Sequence, residues 1–271
     1  HLVPPVIGLS TELSWSPITV SVSAAKDNWN QSPGSWKPLV NEHLSEAVAM
    51  DVKDLSVSYE ELDAVSKVSF KVHTGEVVAL MGKNGSGKSS VLWAIQGGGK
   101  RSTGSVKTQF GDPKSLSAAE RLCVLTLVPQ KAADLLFLNS LADELSESDK
   151  FAQLTDSGTS KIFESLTGRL DPKIHPRDLS AGQQLALVLA LQLVKGAGIL
   201  LLDEPTRGLD YAAKRSLAKQ IRALRKEGKS VLVASHDVEF VALVADRVLE
   251  LESGKLVSDK LAADALGVGA S

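Results

Sequence analysis

One cysteine, two methionines and two tyrosines in 271 residues, with aromatics at only 4%, leave several classes of protein out of reach. A lone Cys123 gives neither a disulfide framework nor a paired-cysteine metal or redox motif. Inside the apolar run Leu122–Val128 it is expected to be a small buried hydrophobe in a reducing compartment. Charge of one sign is also missing: 30 Lys and Arg face 32 Asp and Glu, a net charge of −2, so no basic footprint for nucleic acid is present. No apolar run reaches the length of a membrane span, because Gln192, Lys195, Gly196 and Gly198 break the longest one, Leu185 to Leu202, into a helix, a turn and a strand. No internal repeat is visible. The first residues carry neither the basic head nor the clean apolar core of a signal peptide.

Residues 1–46 have little periodicity, although five of the ten prolines and three of the four tryptophans fall there. They read as an irregular linker or N-terminal extension, with the tryptophans available to dock on a surface. The start at His1 adds the expectation of a fragment of a longer chain. Order begins at 47. Met50, Val52, Leu55 and Val57, then Val68, Phe70 and Val72, alternate as strands of an antiparallel sheet with one face open to water. Val106–Phe110 and Leu122–Val128 are expected as further strands, residues 131–178 as helical with polar breaks, and Tyr211–Glu227 as an amphipathic helix stopped at Gly228.

The strongest signal is Gly82-Lys83-Asn84-Gly85-Ser86-Gly87-Lys88-Ser89, which satisfies G-x-x-x-x-G-K-[ST] in full and follows the apolar run Val77–Met81. Its glycines let successive backbone N–H groups turn inward as a nest for α- and β-phosphates. Lys88 is placed for the β- and γ-phosphates, the Ser89 hydroxyl for Mg²⁺, and a helix from 88 to 96, carrying Ser90 in its first turn, turns its positive end to the anion. A nucleoside triphosphate is the expected ligand. A second buried-strand run, Ile199–Leu202, ends in Asp203 and Glu204. Asp203 suits a metal shell, and Glu204, expected on the other side of the strand, suits activation of a water. Upstream, Ser180-Ala181-Gly182-Gln183 follows Leu179 and forms a capping-box pattern that opens an apolar helix.

In this order the motifs resemble those of ATP-binding cassette (ABC) ATPases, over residues 47–265. Leu179–Gln183 is similar to that family's Leu-Ser-Gly-Gly-Gln signature, with Ala181 in place of the first glycine and Leu185-Ala186 where a Gln-Arg pair is frequent. The resemblance implies that Ser180, Ala181, Gly182 and Gln183 meet the γ-phosphate of ATP held by a partner domain. It also implies Gln130 as the residue joining Mg²⁺ and water to the moving parts of a transporter, Asp210 as the dimer-interface loop, His236 as the γ-phosphate switch and Tyr59 as the adenine platform. Glu204 becomes the catalytic base, with Ser89, Gln130 and Asp203 around Mg²⁺.

The fold so implied is an α/β P-loop NTPase with a mixed core sheet, an antiparallel β subdomain, an inserted helical subdomain at about 131–185 and a short tail from 266 to 271. The apolar segment Lys131–Leu138 and the stretch Thr206–Asp210 further resemble the energy-coupling factor and cobalt importer branch. A peripheral ATPase on the cytoplasmic face of the membrane follows, powering import of a vitamin, metal ion or other small solute. Its partners would be a membrane-embedded subunit and a second ATPase domain that is upstream on the same chain, identical or paralogous. The other readings are a soluble ABC ATPase with no transporter, and a nucleotide-binding scaffold with weak hydrolysis, against which Glu204 argues.

Overall fold

The computed structural model describes residues 45–60, 62–154 and 157–266. Expectations for 1–44 and 267–271 lie outside the described residues. In chain order the elements are β1 (Val48–Tyr59), β2 (Leu62–His73), β3 (Val77–Met81), α1 (Lys88–Gln96), β4 (Thr103–Thr108), α2 (Ala118–Val124) and β5 (Leu125–Val128). There follow α3 (Leu141–Phe151), α4 (Gly158–Thr167), α5 (Ala181–Leu193), β6 (Ile199–Asp203), α6 (Tyr211–Lys226), β7 (Ser230–Ala234), α7 (Val238–Val244), β8 (Arg247–Glu252), β9 (Lys255–Leu261) and α8 (Ala262–Ala265). The expected helical edge at 185 falls within α5, which runs on to Leu193 as one helix.

Two sheets result. The smaller is antiparallel, in the order β2-β1-β4; the larger has the order β5-β6-β7-β3-β8-β9, parallel except for the β8–β9 hairpin. In β1 the inward residues skip from Val52 to Leu55, a spacing that would turn a regular strand inside out. A bulge restores the phase: the register shifts there and Asp54 takes φ 46°, its N–H held by the Ser69 hydroxyl at 2.8 Å.

The central sheet is buried on both faces, as parallel strands demand. Val77 and Ala79 of β3 belong to one apolar cluster with α5, α6 and α7; Val78 and Leu80 belong to a second, with α1 and the small sheet. Phe163, Phe240, Met50 and Leu55 are among the largest side chains completely enclosed.

Three expectations are corrected here. Leu122–Val124 is helix, and only Leu125–Val128 is strand. Ser117 and Glu120 form a reciprocal capping box that starts α2 at Ala118, and this local signal outweighs the apolar run. Cys123 consequently sits on the outer side of α2 and is exposed rather than buried. The strand expected to reach Phe110 ends at Thr108, which pairs with Gly111 across a tight turn and leaves Phe110 exposed.

The end of the central sheet that opens on the Gly75 turn is held by buried charges. Glu76, fully enclosed, receives Arg247 Nε at 2.7 Å and the His73 N–H at 2.8 Å, while Arg247 also binds Asp259 and the Lys71 carbonyl. Asp246 accepts the Val77 N–H at 2.9 Å and meets Arg225 at 3.0 Å. Burial, reinforced by the charge of Glu76 and opposed by Val77 and Arg225, pushes the Asp246 carboxyl from 3.8 up to about 6.

The folded chain therefore keeps a proton on Asp246 that the unfolded chain has released, and this contribution is lost as pH rises toward 6. Comparing wild type with Asp246→Asn in denaturant titrations, the stability difference will move against wild type by up to about 1.4 kcal/mol per pH unit between roughly pH 4 and 6. The loss of Arg225's partner offsets the curve without changing its slope, so a pH-independent difference would refute the buried proton.

Candidate functional site

Three neighbouring strands, β6, β7 and β3, end at one place, and the turn after each contributes a side chain to it. After β3 the chain must reverse tightly into α1. Gly82 (φ 152°) and Gly87 (φ 102°) make this possible: a Cβ on Gly82 would sit 2.3 Å from the Leu251 carbonyl, and one on Gly87 2.4 Å from the Ala64 carbonyl. Gly87 is the N-cap of α1 and supplies no side-chain cap, so the first turn presents uncapped N–H groups. Inside the loop the Ser86 hydroxyl is buried without a partner. An uncapped helix end beside a buried, unsatisfied hydroxyl is a fit for an anion with several acceptor oxygens.

Lys88, 6% exposed, donates to the carbonyls of Gly82 at 2.7 Å and Lys83 at 3.2 Å. Its ammonium lies 3.6 Å from Glu204 Oε1. Ser89 Oγ donates to Asp203 Oδ1 at 3.1 Å, joining the first turn of α1 to the end of β6. Burial raises the Asp203 carboxyl and the neighbouring Glu204 charge adds to this, while Ser89 and Lys88 work the other way. A hydroxyl and a carboxylate oxygen in contact form two corners of a shell for a hard cation.

Glu204 turns out of the strand with φ 47°, its N–H still paired to the Ala234 carbonyl at 2.8 Å. That turn modifies the expectation of two acids parting to opposite sides: Asp203 and Glu204 both reach the first turn of α1. Glu204 Oε2 is 2.8 Å from His236 Nδ1, and its carboxyl is 8% exposed. A single carboxylate thus lies between a cation on one oxygen and an imidazole on the other.

The remaining expected residues fall elsewhere. Asn84, Gly85 and Ser90 belong to the same loop and helix. Tyr59 closes β1, with Lys100 Nζ 5.7 Å over its ring. Gln130 follows β5 on an exposed stretch and is not drawn into the hydrogen-bonded network. Ser180 and Gln183 complete the capping box of α5 at 2.9 and 3.3 Å, with Ala181 as its first residue. Ser180, Gly182 and Gln183 share a cavity of about 180 Å³ with Leu209 and Ala213, so the signature turn and the 208–210 loop lie side by side. Asp210 caps α6 through the Ala213 N–H at 2.7 Å.

Sequence reasoning missed Lys214 and Asp237. Their side chains meet at 2.5 Å, and the partnership between helix α6 and the turn before α7 leaves no local pattern. Burial alone would raise Asp237, but Lys214 and the Phe240 N–H hold it below the usual carboxylate range.

The ABC transporter family profile matches residues 65–207. A protein of Streptomyces coelicolor assigned as an ABC transporter ATP-binding protein is 34% identical over 96% of this chain and 52% of its own length. The Nod factor export ATP-binding protein I of Rhizobium meliloti is 30% identical over 85% of this chain and 70% of its own. The chain spans about half the length of several curated relatives it matches. Among solved structures, a nucleotide-free ATP-binding cassette from an ABC transporter superposes with a TM-score of 0.72 at 19% identity, covering 82% of this chain and 94% of its own. The CbiO1 protein of Clostridium perfringens, part of the CbiONQ transporter complex, gives 0.70 at 24% identity, covering 82% and 92%.

Because the Ser180 cap satisfies one N–H of α5, Ser180→Ala will cost about 1 kcal/mol of stability, read from the denaturant midpoint. An unchanged midpoint would show the box to be energetically idle.

Proposed function

The chain belongs to the ABC transporter family of ATP-binding, ATP-hydrolysing domains, and we propose that it is the motor of an importer of the energy-coupling factor type. The observation that carries hydrolysis is the convergence of Lys88, Ser89, Asp203, Glu204 and His236 on one phosphate-sized loop. The uncapped N–H groups of α1 and the Ser86 hydroxyl receive the β- and γ-phosphates, and Lys88 exchanges the Gly82 and Lys83 carbonyls for phosphate oxygens. Glu204 orients and deprotonates the water that attacks γ-phosphorus in line, while His236, held against Glu204, faces the transferred group. Mg²⁺, with Ser89, Asp203 and Gln130 as its protein ligands, would neutralise charge developing on the phosphate oxygens.

In this reading Tyr59 stacks on adenine. The second ATP site is composite: Ser180–Gln183 and Asp210 serve an ATP on a second ATPase domain, whether fused, identical or paralogous. The attachment to a membrane subunit rests on Leu135–Leu138, where Phe137 is 79% exposed while Leu136 beside it is buried. A large apolar side chain held in water is a natural knob for a partner's socket. The resemblance of Lys131–Leu138 and Thr206–Asp210 to the energy-coupling factor and cobalt importer branch favours import; the Nod factor export relative favours the outward direction as a second reading. Among the described residues no helix is long and apolar enough to cross a membrane.

Two measurements test the motor. Glu204→Gln will retain ATP binding while turnover falls roughly 10²–10⁴-fold, the usual worth of a general base. Wild-type steady-state turnover in that variant would take Glu204 out of the role. In a dilution series the specific activity of the chain will rise with protein concentration, because half of each site comes from another domain. A concentration-independent rate from a monomer would refute the shared site.

A further inference from the structure

Lys214 is anchored at both ends. Its backbone N–H donates to the Asp210 carbonyl at 3.0 Å, within the first turn of α6, and its ammonium donates to Asp237 Oδ2 at 2.5 Å. Asp237 is a junction. Its other oxygen caps α7 through the Phe240 N–H at 3.1 Å, and its own N–H goes to the Ser235 hydroxyl. Thr206 closes a tight turn with the Leu209 N–H at 3.1 Å. So the loop 206–210 is tied through Lys214 to the residue that follows His236, and the His236 ring rests on Glu204.

We infer that the Lys214–Asp237 ion pair is a strut that carries the position of the 206–210 loop to His236, making Lys214 a positioning residue for hydrolysis. The inference rests on the proposed roles of Asp210 at the domain interface and His236 at the γ-phosphate. A point charge on a flexible stem would serve poorly on its own, but here both ends of the residue are fixed, so little freedom is left to absorb a shift of Asp210. The pair lies at partly exposed side chains, 28% for Lys214 and 13% for Asp237, where ion pairs contribute little to folding. Its removal therefore leaves the fold standing and acts on placement.

The test compares Lys214→Met, Lys214→Arg and His236→Ala with wild type, at saturating ATP and at protein concentrations where the rate no longer rises. Lys214→Met will lower kcat about tenfold with ATP affinity and melting temperature unchanged, and Lys214→Arg will restore most of the rate because it restores the charge. A second readout is independent of turnover: the His236 ring resonances at fixed pH will shift in Lys214→Met and return toward wild type in Lys214→Arg. Wild-type kcat and unshifted resonances in Lys214→Met overturn the strut. So does a loss that appears equally in Lys214→Arg or that tracks a fall in melting temperature. His236→Ala separates the layers: full activity there overturns the site reading and the strut with it, whereas lost activity there beside an unaffected Lys214→Met overturns the strut alone.

Discussion

A buried carboxylate needs partners on both oxygens, and the arrangement of Glu204 follows from that need. Taking a carboxylate out of water costs several kcal/mol unless charge and hydrogen bonds replace the solvent. Lys88 faces Oε1 at 3.6 Å, an ion pair without a hydrogen bond, and His236 meets Oε2 at 2.8 Å. The lysine opens α1 after β3, the histidine follows β7, and Glu204 itself follows β6. Three strand ends must therefore remain in step, and the parallel registers Leu202 with Val233 and Leu80 with Ala234 keep them so. Slipping one strand by a residue would strand a charge as well as invert a face.

Such a site is tolerable because the opposite end of β3, the strand that carries the loop, is held by other charges. Glu76 with Arg247, and Asp246 with Arg225, pin the start of β3 to β8 and α6. Between the two charged ends the strands are almost wholly apolar, with clusters on both faces. The apolar middle supplies the stability and the ends supply geometry. A left-handed Glu204 is a cost of order 1 kcal/mol or more that such a core can absorb.

The parts of this molecule legible in the sequence are those governed by local rules. The glycine pattern, the helix 88–96 and the apolar strands before Asp203 and Ser235 follow from spacing and residue type, and the structure has them there. Where two local rules compete, the capping box wins: the apolar run 122–128 predicts a strand, but Ser117 and Glu120 start a helix that takes in Leu122–Val124. The same run predicts a buried Cys123, and its exposure follows from the helix. The Asp54 bulge was hidden because an extra residue leaves no mark beyond a broken alternation. Least legible were contacts between distant segments. Nothing in the spacing of Lys214 and Asp237, or of Arg225 and Asp246, announces a bond, because the partnership exists only once helices pack on the sheet.

The departure at Ala181 is best judged by where the neighbouring glycine sits. A Cβ on Gly182 would meet Ala213 Cβ at 3.4 Å, ordinary van der Waals contact, so the chain's own packing does not demand glycine there. Ala181 is the first helical residue of α5 and is exposed. The Ser180–Gln183 box forms regardless of the extra methyl, and the helix still begins where a glycine would have let it begin. Whatever the methyl does, it does to a group approaching α5 from outside and not to the chain's own fold. In the two-site assembly proposed above, that would confine its effect to ATP held by the partner domain. The phosphate loop of this chain, with Lys88, Glu204 and His236 already in contact, does not depend on it, so the two sites of such an assembly can differ in strength without either fold being altered.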